Sequence, residues 1–89
     1  QGVKAYKWLC DNAIRFGFCQ PYKAKEDTAR HGFNEEKWHW SYLLLATQYR
    51  QAYASFVTRQ DISGFQGAEC AEALSIIETY VLAVSPECR

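Results

Sequence analysis

The sequence predicts an α+β domain with a small sheet and about three helices. Apolar residues recur at intervals of three and four in segments 3–16, 43–57 and 67–83, which is the stripe of an amphipathic helix. Polar and aromatic residues instead alternate strictly from Lys37 to Tyr42, the two-residue period of a strand with one buried face. With 89 residues, 48% of them apolar, the chain suffices for one small domain spanning residues 1–89.

The first predicted helix runs from Val3 to Phe16, and Gly17 ends it, since glycine is common directly after a helix C-terminus. Phe18 and Cys19 then begin a short strand. After them Gln20–Pro21 favours extended or turn geometry, because proline restricts the residue before it. The apolar stripe of this helix consists of Val3, Tyr6, Leu9, Cys10, Ala13 and Ile14.

Residues 20–34 predict an irregular loop that ends at the turn-prone sequence Gly32–Phe33–Asn34. So long an irregular stretch in a small domain indicates function more than packing. In the strand that follows, the alternation points Trp38, Trp40 and Tyr42 inward, and Lys37, His39 and Ser41 to the opposite face. Glu36 then faces away from His39 unless the backbone leaves the strand pattern before Lys37.

A second helix is predicted from Leu43 to Val57 and a third from Gly67 to Ala83. The negative charge of Glu69 is favourable near the N-terminus of the third helix, where the helix dipole is positive, and Pro86 prevents the helix from continuing. The apolar face of the third helix contains Cys70, Ala73, Leu74, Ile77 and Val81.

Composition and cysteine spacing exclude several classes of protein. Ten basic and ten acidic residues cancel, so the chain lacks the basic footprint of nucleic-acid binding, and no apolar run approaches the length of a membrane span. The cysteines form no C-x-x-C pair, which argues against a structural zinc ribbon. Three pairings into two disulfides are possible among Cys10, Cys19, Cys70 and Cys88, and free, buried thiols are an equal alternative.

Glu36 and His39 are the residues suited to peptidase chemistry. A neutral imidazole can bind zinc, and a neighbouring carboxylate can take a proton from an attacking water. Their spacing alone also fits a solvated surface pair. A catalytic zinc usually takes three protein ligands, and the only other histidine is His31.

The run Glu36–Lys37–Trp38–His39 resembles the Glu-x-Trp-His signature of zinc D-alanyl-D-alanine carboxypeptidases of the VanY type, whose fold is shared with the hedgehog signalling domain. Residues 8–18 are similar to that family's helix leading to a strand. The resemblance covers roughly residues 5–45. It implies a partial hedgehog/DD-peptidase-like domain with a small antiparallel sheet.

The resemblance also implies roles for individual residues. His39 matches the family's last zinc ligand and Glu36 its catalytic base, acting on peptidoglycan stem peptides in the cell envelope. Arg30 is a candidate to bind a substrate carboxylate bidentately, although a solvated loop arginine is an equal alternative. His31 is not a ligand in this pattern, and we expect it to be a loop residue.

One part of the family pattern is missing. The family takes its other two ligands from a preceding His-x-x-Gly-x-Ala-x-Asp segment, and no histidine precedes His31. The chain also starts at Gln1 rather than Met. We therefore expect the C-terminal portion of a single peptidase domain, inactive alone, with zinc bound only in the complete protein and self-association through the exposed surface. The alternative is a non-catalytic cell-wall or partner-binding module that uses the aromatic segment and the 20–34 loop.

Overall fold

The computed structural model describes residues 2–89 and confirms an α+β fold; Gln1 lies outside the described residues. Short 3-10 and π-helical segments separate and follow the main elements. In chain order those elements are α1 (Gly2–Asn12), β1 (Phe18–Cys19), α2 (Lys25–Thr28), β2 (Ser41–Tyr42) and α3 (Leu43–Phe56).

The two strands pair antiparallel and bring the end of the first helix beside the aromatic segment. Phe18 lies opposite Tyr42 and Cys19 opposite Ser41, and the Phe18 and Tyr42 ring centroids are 5.2 Å apart. The backbone N–H of Leu43 also donates to the carbonyl of Gly17 at 2.8 Å. Gly17 has a φ of 85°, a left-handed conformation that glycine adopts without steric cost, and it turns the chain from the helix into β1.

The first two predicted helices agree closely with the structure. The segment predicted as Val3–Phe16 forms α1 and then tightens into a 3-10 turn at Ala13–Phe16 before Gly17. The helix predicted to end at Val57 ends one residue earlier, at Phe56. However, neither α1 nor α3 contains a buried residue, so their apolar stripes are only partly covered.

The predicted strand from Lys37 to Tyr42 is wrong except for its last two residues. Residues 36–39 form a turn closed by the N–H of His39, which donates to the Glu36 carbonyl at 3.2 Å, and the indole N–H of Trp40 donates to the Lys37 carbonyl at 3.0 Å. These local hydrogen bonds replace those of a strand ladder. Trp38, expected on the buried face, is 77% exposed.

The third predicted helix, Gly67–Ala83, is also wrong. The segment forms a 3-10 turn at Ala68–Cys70, further turns, and a π-helix at Ile77–Val81. Ser75 has a φ of 47°, which lies in the left-handed region and interrupts the helix. Because the backbone bonds change among three-, four- and five-residue spacings, the expected apolar face does not form: Cys70 and Leu74 are exposed and Ile77 is buried.

The C-terminal turn is fastened to the start of the 20–34 loop. A disulfide joins Cys19 to Cys88, which are 69 residues apart in sequence. Ser85, fully buried, donates to the Pro21 carbonyl from its N–H at 2.7 Å and from its hydroxyl at 2.9 Å. Of the pairings left open by the sequence, the structure contains this one. Cys10 and Cys70 are free thiols, and the expectation that free thiols would be buried is wrong, because both are exposed.

None of the helices between residues 2 and 89 combines the length and apolar character needed to cross a membrane.

Candidate active site

The turn at residues 36–39 brings the two peptidase candidates into contact. His39 Nδ1 lies 3.0 Å from Glu36 Oε1, because a turn places residues three apart on the same side, whereas a strand would separate them. The sequence allowed Glu36 and His39 to meet only if the backbone leaves the strand pattern before Lys37, and in the structure it does. The His39 side chain is 42% exposed and that of Glu36 is 27% exposed, so solvent and small solutes reach the pair.

This contact defines the proton positions on the imidazole. An ionised carboxylate only accepts hydrogen bonds, so the hydrogen in the Glu36–His39 bond belongs to Nδ1. In the neutral ring the lone pair is then on Nε2. A carboxylate bound to one ring nitrogen is the usual device that orients a metal-binding histidine and selects its tautomer.

Tyr22 positions both members of the pair. Its carbonyl accepts the backbone N–H of Glu36 at 2.8 Å, and its ring meets the His39 ring edge-on, with centroids 5.2 Å apart and planes at 79°. Tyr22 was not among the residues predicted from the sequence. The available signal was an aromatic residue directly after Pro21, at the start of a loop otherwise rich in charged residues.

The environment of Tyr22 keeps its hydroxyl protonated. Burial raises the pKa of Tyr22, and the negative charge of Glu36 raises it further, while the positive charge of Arg30 acts in the opposite direction. The phenol is therefore neutral across the physiological range. Tyr22 thus contacts Glu36 through its carbonyl and Arg30 through its ring.

Arg30 is only 4% exposed and holds the 20–34 loop together. Its Nη1 donates to the carbonyls of His31 at 3.1 Å and Phe33 at 2.6 Å, and its Nη2 donates to the carbonyl of Lys23 at 2.6 Å. Its guanidinium carbon lies 5.2 Å from the centre of the Tyr22 ring, and its buried Nε has no hydrogen-bond partner. Arg30 thus reaches the Glu36–His39 pair through Tyr22.

The described residues do not form a zinc site by themselves. Between residues 2 and 89 no group of three or more histidine, cysteine, aspartate or glutamate side chains is arranged to hold a metal ion. His39 offers one imidazole nitrogen, and a catalytic zinc usually takes three protein ligands. His31 is exposed in the loop and contributes its carbonyl to Arg30.

Comparison with protein families gives one match. The model of the VanY family, described as D-alanyl-D-alanine carboxypeptidase, matches residues 1–45, just over half of the 89 residues. The chain belongs to the VanY family. The matched part of this VanY chain contains α1, both strands, Tyr22, Arg30 and the turn at residues 36–39. No curated protein and no solved structure matches the chain.

Proposed function

We propose that this VanY chain takes part in hydrolysis of the D-alanyl peptide bond of peptidoglycan stem peptides, with Glu36 as the general base and His39 as a zinc ligand. The observation that carries the proposal is the 3.0 Å contact between the Glu36 carboxylate and His39 Nδ1 in a solvent-accessible turn. The contact leaves Nε2 as the nitrogen for a metal. It uses one carboxylate oxygen of Glu36 and leaves the other to accept a proton from a water molecule.

Zinc is the proposed cofactor of the complete protein, and this chain supplies one of its ligands. The other two would belong to residues that this sequence does not include, because residues 2–89 contain no metal-binding group of three side chains. We therefore expect the 89-residue chain alone to bind zinc weakly and to hydrolyse D-Ala-D-Ala peptides little or not at all.

Arg30 is proposed to bind the carboxylate of the substrate. Its Nε–H has no partner and its Nη groups bind backbone carbonyls, but the guanidinium is buried, so a substrate carboxylate would reach it only if the loop opens. A change to lysine keeps the charge and removes the planar fork. In an active protein, Arg30→Lys should raise KM more than it lowers kcat if Arg30 contacts substrate, whereas a purely structural role would lower stability and leave KM unchanged.

A cell-envelope location follows from the proposed substrate, and the disulfide supports it. Bonds such as Cys19–Cys88 persist in oxidising compartments and are rare in reducing ones. Self-association is also proposed, because large apolar side chains including Trp8, Phe16 and Phe56 are more than half exposed. Light scattering over a range of concentrations tests it, and a monomer at every concentration would contradict it.

The decisive experiment uses the full protein that contains this sequence. His39→Ala should abolish both zinc binding and release of D-alanine. Glu36→Gln should retain zinc and lower kcat by about 10² to 10⁴, the usual contribution of a general base. Glu35→Gln is the matched control, since it removes an exposed carboxylate from the neighbouring position.

Two results would contradict the proposal. Full activity in the Glu36→Gln protein would remove Glu36 from the reaction. A full protein that binds peptidoglycan and releases no D-alanine would instead indicate the non-catalytic binding module.

A further inference from the structure

A second site lies beside α3, and most of its lining residues follow the part of the chain that the VanY family model matches. The side of α3 faces the C-terminal segment across a cavity of about 230 Å³. Its walls are mainly apolar and aromatic; Ser41 is polar, and Arg50 is the one charged residue among them. The main lining residues are Tyr49, Arg50, Tyr53, Val81, Leu82 and Val84.

Arg50 is a cation without a compensating partner in this cavity. Its Nε atom is buried and makes no hydrogen bond, and none of the salt bridges between described residues includes it. Arg59, by comparison, pairs with Glu72 at 3.7 Å. A guanidinium remains charged at every accessible pH, and a buried donor without an acceptor destabilises the structure. An anionic ligand on the guanidinium would compensate this charge.

The cavity walls restrict the chemical class of that anion. No acidic side chain lines the cavity, so nothing there repels a negative charge. Two tyrosines and four aliphatic side chains favour an apolar body behind the charged group. The cavity volume lies below the roughly 300 to 1,000 Å³ of pockets for drug-sized ligands. These features together fit a small carboxylate better than a bulky one.

We propose that this cavity binds a small monocarboxylate with an apolar body, with its carboxylate on Arg50 and its body against Tyr49 and Tyr53. A guanidinium fork matches the two oxygens of a carboxylate, which distinguishes it from a lysine. The site is independent of Glu36 and His39, and the proposal stands whether or not the chain takes part in peptide hydrolysis.

Benzoate and benzamide test the proposal, because they have nearly the same shape and only benzoate is charged. Each is titrated into the 89-residue chain at neutral pH, with the Arg side-chain Nε–H and backbone amide signals followed by NMR. Benzoate should shift the Arg50 Nε–H signal saturably, together with amides near Tyr49 and Val81. Benzamide should bind at least tenfold more weakly. Inorganic phosphate, which has charge but no apolar body, should also bind at least tenfold more weakly.

Variants of the chain separate this site from other arginines. Arg50→Gln should abolish benzoate binding, Arg50→Lys should weaken it about tenfold, and the control Arg15→Gln, on the exposed 3-10 turn, should leave it unchanged. If Arg50→Gln does not fold, the benzoate-to-benzamide ratio of the unaltered chain decides. Equal affinity for benzoate and either probe, or shifts confined to Arg30, would overturn the proposal.

Discussion

Tyr22 carries no charge, but it determines how the charged residues of the candidate site are arranged. Its carbonyl fixes the backbone of Glu36, the edge of its ring meets His39, and one face of the ring lies near Arg30. The sequence identified Glu36 and His39 as chemical candidates from their types and a family signature. It did not identify Tyr22, because Tyr22 acts through its carbonyl and the direction of its ring, and neither leaves a spacing pattern.

Removal of the Tyr22 ring should disturb the His39 tautomer. We expect long-range ¹H–¹⁵N NMR above the titration range of histidine to show Nδ1–H in the unaltered chain, because Glu36 accepts that hydrogen. Tyr22→Phe should keep this state, since the ring edge and the carbonyl remain. Tyr22→Leu should give a mixture of tautomers and lose about 1 kcal/mol of stability, the usual contribution of an aromatic pair.

Glu36→Gln is the positive control in this measurement, because a neutral amide does not select the tautomer in the same way. An unchanged Nδ1–H signal in Tyr22→Leu would show that Glu36 orients His39 without help from the Tyr22 ring.

Gly32 should be the least replaceable of the four glycines with a positive φ. It has a φ of 88°, and a Cβ at this position would overlap the carbonyl oxygen of Thr79. Gly64 offers a matched control, with a φ of 84° and open space around its missing Cβ. Gly64→Ala should cost about 1 to 2 kcal/mol from backbone conformation alone, and Gly32→Ala should cost clearly more. Urea unfolding measures both, and equal losses would exclude the predicted steric overlap.

At the scale of elements, the sequence correctly predicted the helices in which every backbone hydrogen bond has the same residue spacing. α1 and α3 follow the 3.6-residue period, so their apolar stripes located them to within a few residues. Segment 67–83 has a similar stripe, but Ser75 and bonds of mixed spacing divide it. The strand predicted from the alternation of residues 37–42 was wrong for a related reason. The Trp40 indole and the His39 N–H donate to local carbonyls and form a turn, and these contacts do not depend on apolar periodicity.

Acid should loosen the contact between the 20–34 loop and the C-terminal turn. Lys23 forms an ion pair with Glu87. Burial alone would raise the pKa of Glu87, but the hydrogen bonds from Lys23 and from its own backbone N–H, with the Lys23 charge, lower the pKa below 4.5. The stabilisation is therefore complete above pH 4.5 and is lost as the pH falls through the lower, folded-state pKa.

Urea unfolding at pH 7 and at pH 3 measures this loss, which should be below about 1 kcal/mol because the pair is partly exposed. In Glu87→Gln the difference between the two pH values should shrink by that amount. Glu72→Gln is the control, since Glu72 belongs to a longer and more exposed pair. The same pH dependence in the Glu87→Gln and unaltered chains would assign the effect to other carboxylates.

At the scale of the whole molecule, the chain is extended and thinly packed. Its radius of gyration is 14.8 Å and its dimensions are 43 × 24 × 22 Å, whereas a compact domain of this length has a radius near 12 Å. Among residues 2–89 the buried apolar residues are few, and all but Ile77 are small: Ala13, Cys19, Ala71, Ile77 and Cys88. Composition predicted ample apolar material for a core. It could not show how much would be covered, because burial depends on which elements meet.

The Cys19–Cys88 disulfide should supply a large share of the stability. Closing a loop of about 70 residues contributes about 4 kcal/mol in the chain-entropy account. We expect a reducing agent, or the double change Cys19→Ser and Cys88→Ser, to lower the free energy of unfolding by about that amount. The change of Cys10 and Cys70 to serine should have little effect, because both thiols are free and exposed. Equal losses in the two double variants would contradict the pairing.

The position of this bond has a consequence for proteolysis. Cys19 and Cys88 enclose the exposed linker at residues 58–61, the turns that follow it and the whole of α3. A protease cut in that linker therefore produces two polypeptides that remain one covalent molecule. The cut should be visible on a gel only after reduction, and the Glu36–His39 pair should stay attached to the C-terminal wall of the Arg50 cavity after the chain has been divided.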